Sequence, residues 1–448
     1  MARSGNDLAI VRQKIERTAD LDPAPTLTTL YDAAQNWSVR HRADPAFMTD
    51  AFLLAILTAT PAFQRAAAAA GLDATQLAGL MSGEVNSPFA QPDEAPALFV
   101  PPDSAEEIDA ARVLDVNLNR GREALRVLED HCRFVLNDRF LTEQMKELRH
   151  ALAAASSHLH PGVLLAARDT PGDVGTTVSA AGEYDRSSPA QVAAVNLKRL
   201  QEALRSIEEY GKIFGTGFAR EVEAVRYRSY TLERAVVRGG EARRKLAEAR
   251  VYVLLTGSQC VAAMDWTIAQ AAAGGASVFQ LREKSLADAE LIARARDVRR
   301  WTRAVNALFI MNDRPDIARL AGADGVHLGQ DDLSVADARR IVGPDALIGV
   351  STHDIGQVRK AVLDGADYLG VGPTFPSRTK AFEVFPGLEF VRAVAAETTA
   401  PAFALGGIGP NNIGEVVAAG LRRVAVSAAV CAADDPEAIA RVLRAALD

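Results

Sequence analysis

The sequence predicts an α/β protein in which mainly α-helical domains precede a C-terminal (βα)8 barrel of the TIM type. From residue 251 to 448, short β-rich runs alternate with amphipathic helical segments, as they do in repeated parallel βα units. Eight such units suit a closed barrel, whereas an open doubly wound sheet, the alternative, would break the even repetition. Before residue 250 the apolar residues have helical spacing and no strand-like alternation.

Composition narrows the class of protein. A chain of 448 residues exceeds what one hydrophobic core usually serves, and 48% hydrophobic with 24% charged residues is typical of a folded, water-soluble protein. The net charge of −7 offers no general attraction to nucleic acid, and no stretch approaches the ~18 to 20 apolar residues that span a bilayer. The three cysteines, Cys132, Cys260 and Cys431, lie far apart without metal-ligand spacing. We expect a cytoplasmic enzyme that binds neither nucleic acid nor membrane.

Four segments follow one another along the chain. We expect residues 1–84, which are rich in Ala and Leu, to form a helical N-terminal module, and residues 85–104, which are rich in proline, to form a linker. Residues 105–245 form a second helical domain, and residues 246–448 form the barrel.

The second helical domain contains an internal repeat. Polar residues recur in the same order and at the same three-residue steps in two places, which predicts two similar helices that face each other. The repeated residues are Asn117, Arg120, Glu123, Arg126 and Glu129, and then Asn196, Arg199, Glu202, Arg205 and Glu208. Arg and Glu at helical spacing often make only surface ion pairs, which is the alternative to a binding role. Between the copies, a loop with Arg168, Asp169 and Asp173 carries two carboxylates and glycines suited to Mg²⁺ or phosphate.

The barrel segment supplies eight predicted strands. They are VYVLLT from Val251, SVFQL from Ser277, ALFIM from Ala307, DGVHL from Asp324, LIGVS from Leu347, YLGVG from Tyr368, AFALG from Ala402 and RVAVS from Arg423. In this fold the functional site lies at the C-terminal ends of the strands, so polar residues directly after strands are more often functional than polar residues elsewhere.

Cations and carboxylates follow neighbouring strands. Arg282, Lys284 and Lys380 place positive charge at one mouth, where it suits a phosphate. Asp313 and Asp332 lie one βα unit apart, so their carboxylates can converge on Mg²⁺. One of Asp331 and Asp332 is alternatively expected to cap the helix that begins near Leu333.

The ends of the last two strands differ from this first group. Gly406, Gly407 and Ser427 follow the seventh and eighth strands, where exposed backbone N–H groups bind phosphate in many barrels. We therefore expect a second phosphate. His327 and His353 are interpreted as packed or hydrogen-bonded histidines rather than metal ligands.

The strand-end motifs QLREK, MNDR, GVHLGQDD, GVSTH, GPTFPSRTK, GGI and VSAA occur in the order found in thiamine-phosphate synthases, and residues 251–448 resemble that family. The resemblance implies the coupling of hydroxymethylpyrimidine diphosphate with hydroxyethylthiazole phosphate. The implied pyrimidine-diphosphate residues are Gln280, Leu281, Arg282, Glu283, Lys284, Asn312, Ser351 and Lys380, with Lys284, Ser351 and Lys380 catalytic. The implied thiazole-phosphate residues are Ser377, Arg378, Thr379, Gly407, Val426 and Ser427, and Asp313 and Asp332 hold Mg²⁺. Ser377 stands where the family often has Thr, and the hydroxyl is kept.

A rival interpretation is another phosphate-binding barrel, such as an indole-glycerol-phosphate or phosphoribosyl isomerase type, in which acid and base residues replace the metal. Dependence on Mg²⁺ separates the two.

The repeat and the sequence RDTPGDVGT resemble the helical kinase family that is found fused to thiamine-phosphate synthase and phosphorylates hydroxymethylpyrimidine phosphate. The resemblance implies ATP as a co-substrate of residues 105–245. The candidate residues are Asn117, Arg120, Glu123, Arg126, Arg168, Asp169, Asp173, Asn196, Arg199, Glu202 and Arg205. A non-catalytic scaffold that oligomerises the enzyme or senses a ligand is the rival.

The N-terminal module resembles one repeat of the helical Clp N-terminal domain, around TDAFLLAILTATPAFQRAAAAAGLD. This resemblance implies a protein partner, and a helical extension without a ligand is the alternative. The sequence leaves the oligomeric state, including a homo-oligomer, open.

Overall fold

The computed structural model describes residues 105–177, 185–376 and 385–448. The predicted N-terminal module and linker lie outside these residues, as do Ser377, Arg378, Thr379 and Lys380. The described residues belong to one compact unit that contains both the helical region and the barrel. Within them, no helix has the length and apolar character needed to cross a membrane.

The helical region is built from two long helix pairs. Its helices are α1 (Ala105–Asp130), a π-helical turn (His131–Val135), α2 (Arg139–Ala155), a 3-10 turn (Ser156–His158), α3 (Pro161–Ala167), a second 3-10 turn (Val174–Thr177), α4 (Pro189–Gly211) and α5 (Thr216–Lys245). Helix α1 packs along α4, and α5 packs against both α4 and α2. This confirms that the two helices carrying the repeat face each other. Their contact is apolar, with Leu125, Leu128, Leu204 and Ile207 fully buried.

The repeated asparagines do the same structural work in both copies. The side-chain amide of Asn117 donates to the carbonyl of Val113 over 2.9 Å, and that of Asn196 donates to the carbonyl of Val192 over 2.9 Å. Each amide therefore bonds to the preceding turn of its own helix.

The repeated glutamates are also equivalent. Glu129 accepts from Arg149 at 2.9 Å, and Glu208 accepts from Arg226 at 2.6 Å. Both carboxylates are buried, and a buried carboxylate requires such a cation. One residue of the repeat in each copy, the glutamate, thus links its helix to a neighbouring helix.

The barrel has the predicted architecture. Its strands pair in the closed order β1 to β8, and every pairing is parallel. The strands are β1 (Val251–Leu255), β2 (Ala276–Leu281), β3 (Leu308–Asn312), β4 (Gly325–Leu328), β5 (Leu347–Thr352), β6 (Tyr368–Val371), β7 (Ala402–Leu405) and β8 (Val424–Val426). A 3-10 turn (Gly257–Gln259) follows β1, and the helices are α6 (Met264–Ala273), α7 (Asp288–Ala304), α8 (Pro315–Ala321), α9 (Val335–Val342), α10 (Ile355–Asp364), α11 (Gly387–Glu397), α12 (Ile413–Ala418), α13 (Ala428–Cys431) and α14 (Pro436–Leu447).

Two apolar layers hold the barrel. One lies between strands and helices and contains residues such as Phe279 and Leu281. The other fills the barrel interior, where Tyr252, Tyr368 and Phe403 pack edge to face. Because side chains alternate along a strand, neighbouring residues supply the two layers in turn.

The helical region contacts the barrel at the N-terminal ends of its strands. Lys245 donates to the carbonyl of Asp345, just before β5, and Arg234 donates to the carbonyl of Leu363, just before β6. Arg423, at the start of β8, donates to the carbonyls of Leu246 and Ala249. The C-terminal ends of the strands are at the opposite end of the barrel.

Asp138 is the centre of this contact. Its side chain is fully buried and accepts from the Thr398 hydroxyl at 2.7 Å and from the Thr399 backbone N–H at 3.0 Å. It also pairs with Arg243 at 3.1 Å and caps α2 by accepting from the N–H of Leu141 at 2.9 Å. One carboxylate therefore ties the start of a helix to the loop before β7.

Candidate active site

A cavity of about 960 Å³ opens at the C-terminal ends of the strands. This is where a parallel barrel positions its functional side chains. Among the residues that line it are Gln280, Arg282, Lys284, Asn312, Asp313, His327, Asp332, Ser351, His353, Pro376, Gly406, Gly407, Asn411, Asn412, Val426 and Ser427. With Thr256 after β1, the cavity is lined by residues from all eight strand ends.

Two carboxylates face each other on one side of the cavity. Asp313 follows β3 with a positive φ of 59°, a conformation that Asp tolerates better than most residues, and its N–H donates to the carbonyl of His327 at 2.8 Å. Asp332 is held in the loop after β4 by the Gly329 N–H, which donates to it over 2.6 Å. Burial, followed by the negative charge of Asp332, raises the pKa of Asp313. Such a pair is stabilised by a cation.

Residues from β2 supply positive charge beside this pair. The ammonium of Lys284 lies 3.8 Å from the Asp313 carboxylate, and Arg282 acts on the same carboxylate electrostatically. Two carboxylates close together suit Mg²⁺, which takes few protein ligands and keeps positions for water and phosphate. The residues present therefore fit Mg²⁺ as well as a diphosphate.

Gln280 places an unsatisfied donor in the cavity. It is 1% exposed, and its side-chain Nε2 has no hydrogen-bond partner among the described residues. A buried donor without an acceptor costs about 1 to 3 kcal/mol, so this amide is suited to an acceptor on a bound ligand.

Ser351 is held by the buried His327, which is itself held by the buried Tyr368. Its hydroxyl lies 2.9 Å from Nε2 of His327, and Nδ1 of His327 lies 3.2 Å from the Tyr368 hydroxyl. Burial lowers the pKa of His327 to about 4, so the ring is neutral near pH 7. His353 bonds through Nδ1 to the carbonyl of Gly372 at 2.6 Å. Both histidines are hydrogen-bonded, as expected.

Gly406 and Gly407, which follow β7, form a second wall of the cavity, opposite the carboxylate pair. They allow this wall to lie close to the loop after β6. Gly406 and Gly407 have φ values of 97° and 65°, which other residues rarely adopt. A Cβ on Gly407 would also lie 2.5 Å from the carbonyl oxygen of Pro376. The wall is therefore bare backbone at this point.

Two polar side chains beside these glycines are engaged in hydrogen bonds to backbone carbonyls. The Ser427 hydroxyl donates to the carbonyl of Leu254 at 2.9 Å, and Asn412 donates to the carbonyl of Gly407 at 2.9 Å. Since a hydroxyl has one proton, Ser427 would contact a phosphate through its backbone rather than through its side chain.

Residues 251–430 match the model described as thiamine monophosphate synthase, and residues 112–235 match that of the ThiD2 family. A thiamine-phosphate synthase from Rhodopirellula baltica is 43% identical over 77% of this chain and 94% of its own length. The chain belongs to the thiamine-phosphate synthase family. Its barrel is therefore a transferase of thiamine biosynthesis with phosphorylated pyrimidine and thiazole substrates, and the family is typically Mg²⁺-dependent.

A second relative and one solved structure are also similar to this chain. The thiamine-phosphate synthase from Synechocystis sp. is 42% identical over 74% of this chain and 95% of its own length. Among solved structures, thiamine phosphate pyrophosphorylase from Pyrococcus furiosus is 32% identical, covering 45% of this chain and 96% of its own, with a TM-score of 0.41.

Not every predicted residue turns its side chain toward the synthase cavity. Leu281 is fully buried between strands and helices, and Glu283 accepts from the N–H of Gly257 at 2.7 Å and lies 3.6 Å from Arg294. Neither residue lines the cavity. The prediction that Asp331 or Asp332 caps the next helix is wrong: α9 begins at Val335 with Ser334 as its cap.

Other residues of the cavity were absent from the predicted set. His327, His353, Gln330, Asn411 and Asn412 line it, and Gln330 donates to the carbonyl of Ser351. The two asparagines lie four and five residues after Gly407, beyond the strand-end motif to which Gly407 belongs.

Some candidate residues of the helical region are bonded to other residues of that region, and others are exposed. Arg168 makes two 2.7 Å bonds to the buried Asp115, and Asp169 and Asp173 accept from N–H groups of their own loop. Arg126 and Arg205 pair with the glutamates three residues later. Arg120, Glu123, Arg199 and Glu202 are exposed.

Proposed function

We propose that the barrel cavity couples hydroxymethylpyrimidine diphosphate with hydroxyethylthiazole phosphate, giving thiamine phosphate and pyrophosphate, and that the two phosphorylated groups bind at opposite walls. The pair Asp313 and Asp332 carries the proposal, because two adjacent carboxylates beside cations match a metal-bound diphosphate.

The wall formed after β2 to β5 holds the pyrimidine diphosphate. Arg282 and Lys284 neutralise phosphate oxygens, and Gln280 donates its free N–H to an acceptor on the substrate. Asn312 and Ser351 complete this wall, and Lys380, outside the described residues, keeps its predicted role at the diphosphate.

The wall formed after β7 and β8 holds the thiazole phosphate. Gly407, Val426 and Ser427 line the cavity there, and their backbone N–H groups would receive the phosphate oxygens. Ser377, Arg378 and Thr379 follow Pro376, which touches this wall, and they remain predicted contacts outside the described residues.

The reaction requires orientation rather than a covalent nucleophile. The bond from the pyrimidine methylene carbon to the diphosphate oxygen breaks, and the thiazole nitrogen supplies the electron pair of the new bond. Mg²⁺ held by Asp313 and Asp332 would neutralise charge on the leaving pyrophosphate. Arg282 and Lys284 contribute in the same sense, while the opposite wall holds the nitrogen in line.

Asp313→Asn tests this assignment. The variant keeps the size of the side chain but removes a metal-binding charge, so thiamine phosphate formation should fall on the order of a hundredfold or more. Asp297→Asn, which changes a partly exposed aspartate on α7 that pairs with Arg300, is the matched control and should keep full activity. An Asp313→Asn enzyme with wild-type turnover and Mg²⁺ dependence would reject the metal assignment.

We also propose that residues 105–245 phosphorylate hydroxymethylpyrimidine phosphate with ATP. The supporting observation is a groove of about 610 Å³ on α2, which is lined by Arg133, Asn137, Asp138, Arg139, Thr142, Glu143, Lys146, Glu147 and His150. Its acids already have cations from elsewhere: Glu147 lies 3.0 Å from Arg228, and Glu143 lies 3.9 Å from Arg359. Arg139 and Lys146 make no ion pair with a described residue.

An excess of cations in a groove of this size suits a phosphorylated ligand. The residues expected from the repeat and from the RDTPGDV loop remain candidates for the same reaction. Because the groove lies beside Asp138, at the N-terminal end of the barrel, its product would leave the protein before reaching the synthase cavity.

The full chain incubated with ATP and hydroxymethylpyrimidine phosphate decides between kinase and scaffold. A diphosphate product supports the kinase, and none favours the scaffold. The double variant Arg139→Gln, Lys146→Gln should reduce this product at least tenfold, while synthase activity with supplied diphosphate stays unchanged. Lys212→Gln, an exposed lysine of the same region, is the control.

A further inference from the structure

A continuous row of hydrogen-bonding side chains runs through the barrel interior to the cavity. The hydroxyls of Tyr252 and Tyr368 lie 3.1 Å apart, and Tyr368 lies 3.2 Å from Nδ1 of His327. Nε2 of His327 lies 2.9 Å from the Ser351 hydroxyl, which lines the cavity. Tyr252 and Tyr368 are each 2% exposed, so water does not compete for these groups.

Tyr252, at the end of the row away from the cavity, determines which group donates in each hydrogen bond. The hydrogen bond to Tyr368 is the one that the Tyr252 hydroxyl makes among the described residues. If Tyr252 accepted from Tyr368, its own proton would be buried without an acceptor, at a cost of about 1 to 3 kcal/mol. Tyr252 therefore donates to Tyr368, and Tyr368 donates its single proton to Nδ1 of His327.

The same logic continues to the cavity. With Nδ1 as acceptor, a neutral imidazole carries its proton on Nε2 and donates it to the Ser351 oxygen. The Ser351 proton is then left to point at a ligand. Ser351 is thereby a hydrogen-bond donor toward the cavity.

Packing prevents the tyrosine hydroxyl from leaving this row. The Tyr368 ring lies edge-on to Tyr252, with centroids 6.0 Å apart, and to Phe403, with centroids 5.7 Å apart. It also occupies the space that a Cβ on Gly349 would need. A ring confined on these sides holds its hydroxyl at one place.

We propose that Tyr252 and Tyr368 are positioning residues that fix His327 as the Nε2–H tautomer and so present the Ser351 hydroxyl as a donor. The substrate group that Ser351 recognises is then an acceptor, a ring nitrogen or a phosphate oxygen, and not an amino group. This inference rests on the proposed placement of the pyrimidine diphosphate beside Ser351.

Imidazole nitrogen chemical shifts of the ¹⁵N-histidine-labelled full chain test the proposal. His327 is assigned by the signal lost in His327→Gln. We expect the wild-type signal of the Nε2–H tautomer, and a wild-type Nδ1–H tautomer would overturn the proposal without any further variant. Because no turnover is involved, this result stands or falls separately from the proposed reaction.

Tyr368→Phe extends the test to function. Removing one hydroxyl should shift His327 toward a mixture of tautomers and lower kcat about tenfold, with KM for the thiazole phosphate unchanged. Tyr230→Phe removes a phenol hydroxyl from the helical region, where it bonds to Arg226, and should change neither measurement. Wild-type kcat with a wild-type tautomer in a folded Tyr368→Phe enzyme would also overturn the proposal.

Discussion

Replacement of Asp138 by Ala tests how the helical region is held on the barrel. The fully buried carboxylate serves Arg243, Thr398, Thr399 and the first turn of α2 at once. The change removes all of these bonds and leaves a guanidinium that is only 22% exposed without its anion.

Two contributions determine how much free energy of unfolding the Asp138→Ala variant loses. Loss of a helix cap costs about 1 kcal/mol, and removal of one partner from a buried ion pair costs about 3 to 5 kcal/mol. Since both act through one side chain they are not additive, and we expect a loss of about 3 to 5 kcal/mol in the free energy of unfolding.

Urea unfolding of the full chain measures this loss, with Asp435→Ala as the matched control. Asp435 also caps a helix, by accepting from the N–H of Ala438 at 2.9 Å, but it is exposed and should cost about 1 kcal/mol. The reasoning is refuted if Asp138→Ala destabilises the protein no more than Asp435→Ala does.

Two further changes probe the barrel and the helical region. Gly349→Ala places a methyl group against the Tyr368 ring and should destabilise the barrel by about 1 to 3 kcal/mol in thermal unfolding, whereas Gly414→Ala, with open space around it, should not. Equal melting temperatures for the two variants would argue against the packing described. Arg168→Gln leaves the buried Asp115 without its bidentate partner and should lower the melting temperature of the helical region; an unchanged value would show that this pair contributes nothing.

The barrel was predictable because each of its strands is a short β-rich run followed by an amphipathic helix. All eight predicted runs are strands, and the closed order follows from their number and even spacing. The facing repeat helices were predictable for a related reason, since Leu125 and Leu204 lie on equivalent apolar faces.

The residues that sequence reasoning missed depend on distant parts of the chain. Asp138 belongs to no sequence motif, and its bonds to Thr398 and Thr399 exist only after folding. Asp332 has the right residue type to cap a helix, but Ser334 lies closer to the helix start and Asp332 bonds to Gly329 instead. The order of donors and acceptors from Tyr252 to Ser351 likewise depends on the burial of Tyr252, and no local sequence pattern shows that burial.

A crystal structure of the chain with Mn²⁺ in place of Mg²⁺ and a non-reactive pyrimidine diphosphate analogue tests the central claim most directly. The anomalous signal of the metal should lie between Asp313 and Asp332, with the diphosphate against Arg282 and Lys284. A metal bound away from these carboxylates, or a diphosphate seated on the Gly407 wall, would contradict the account.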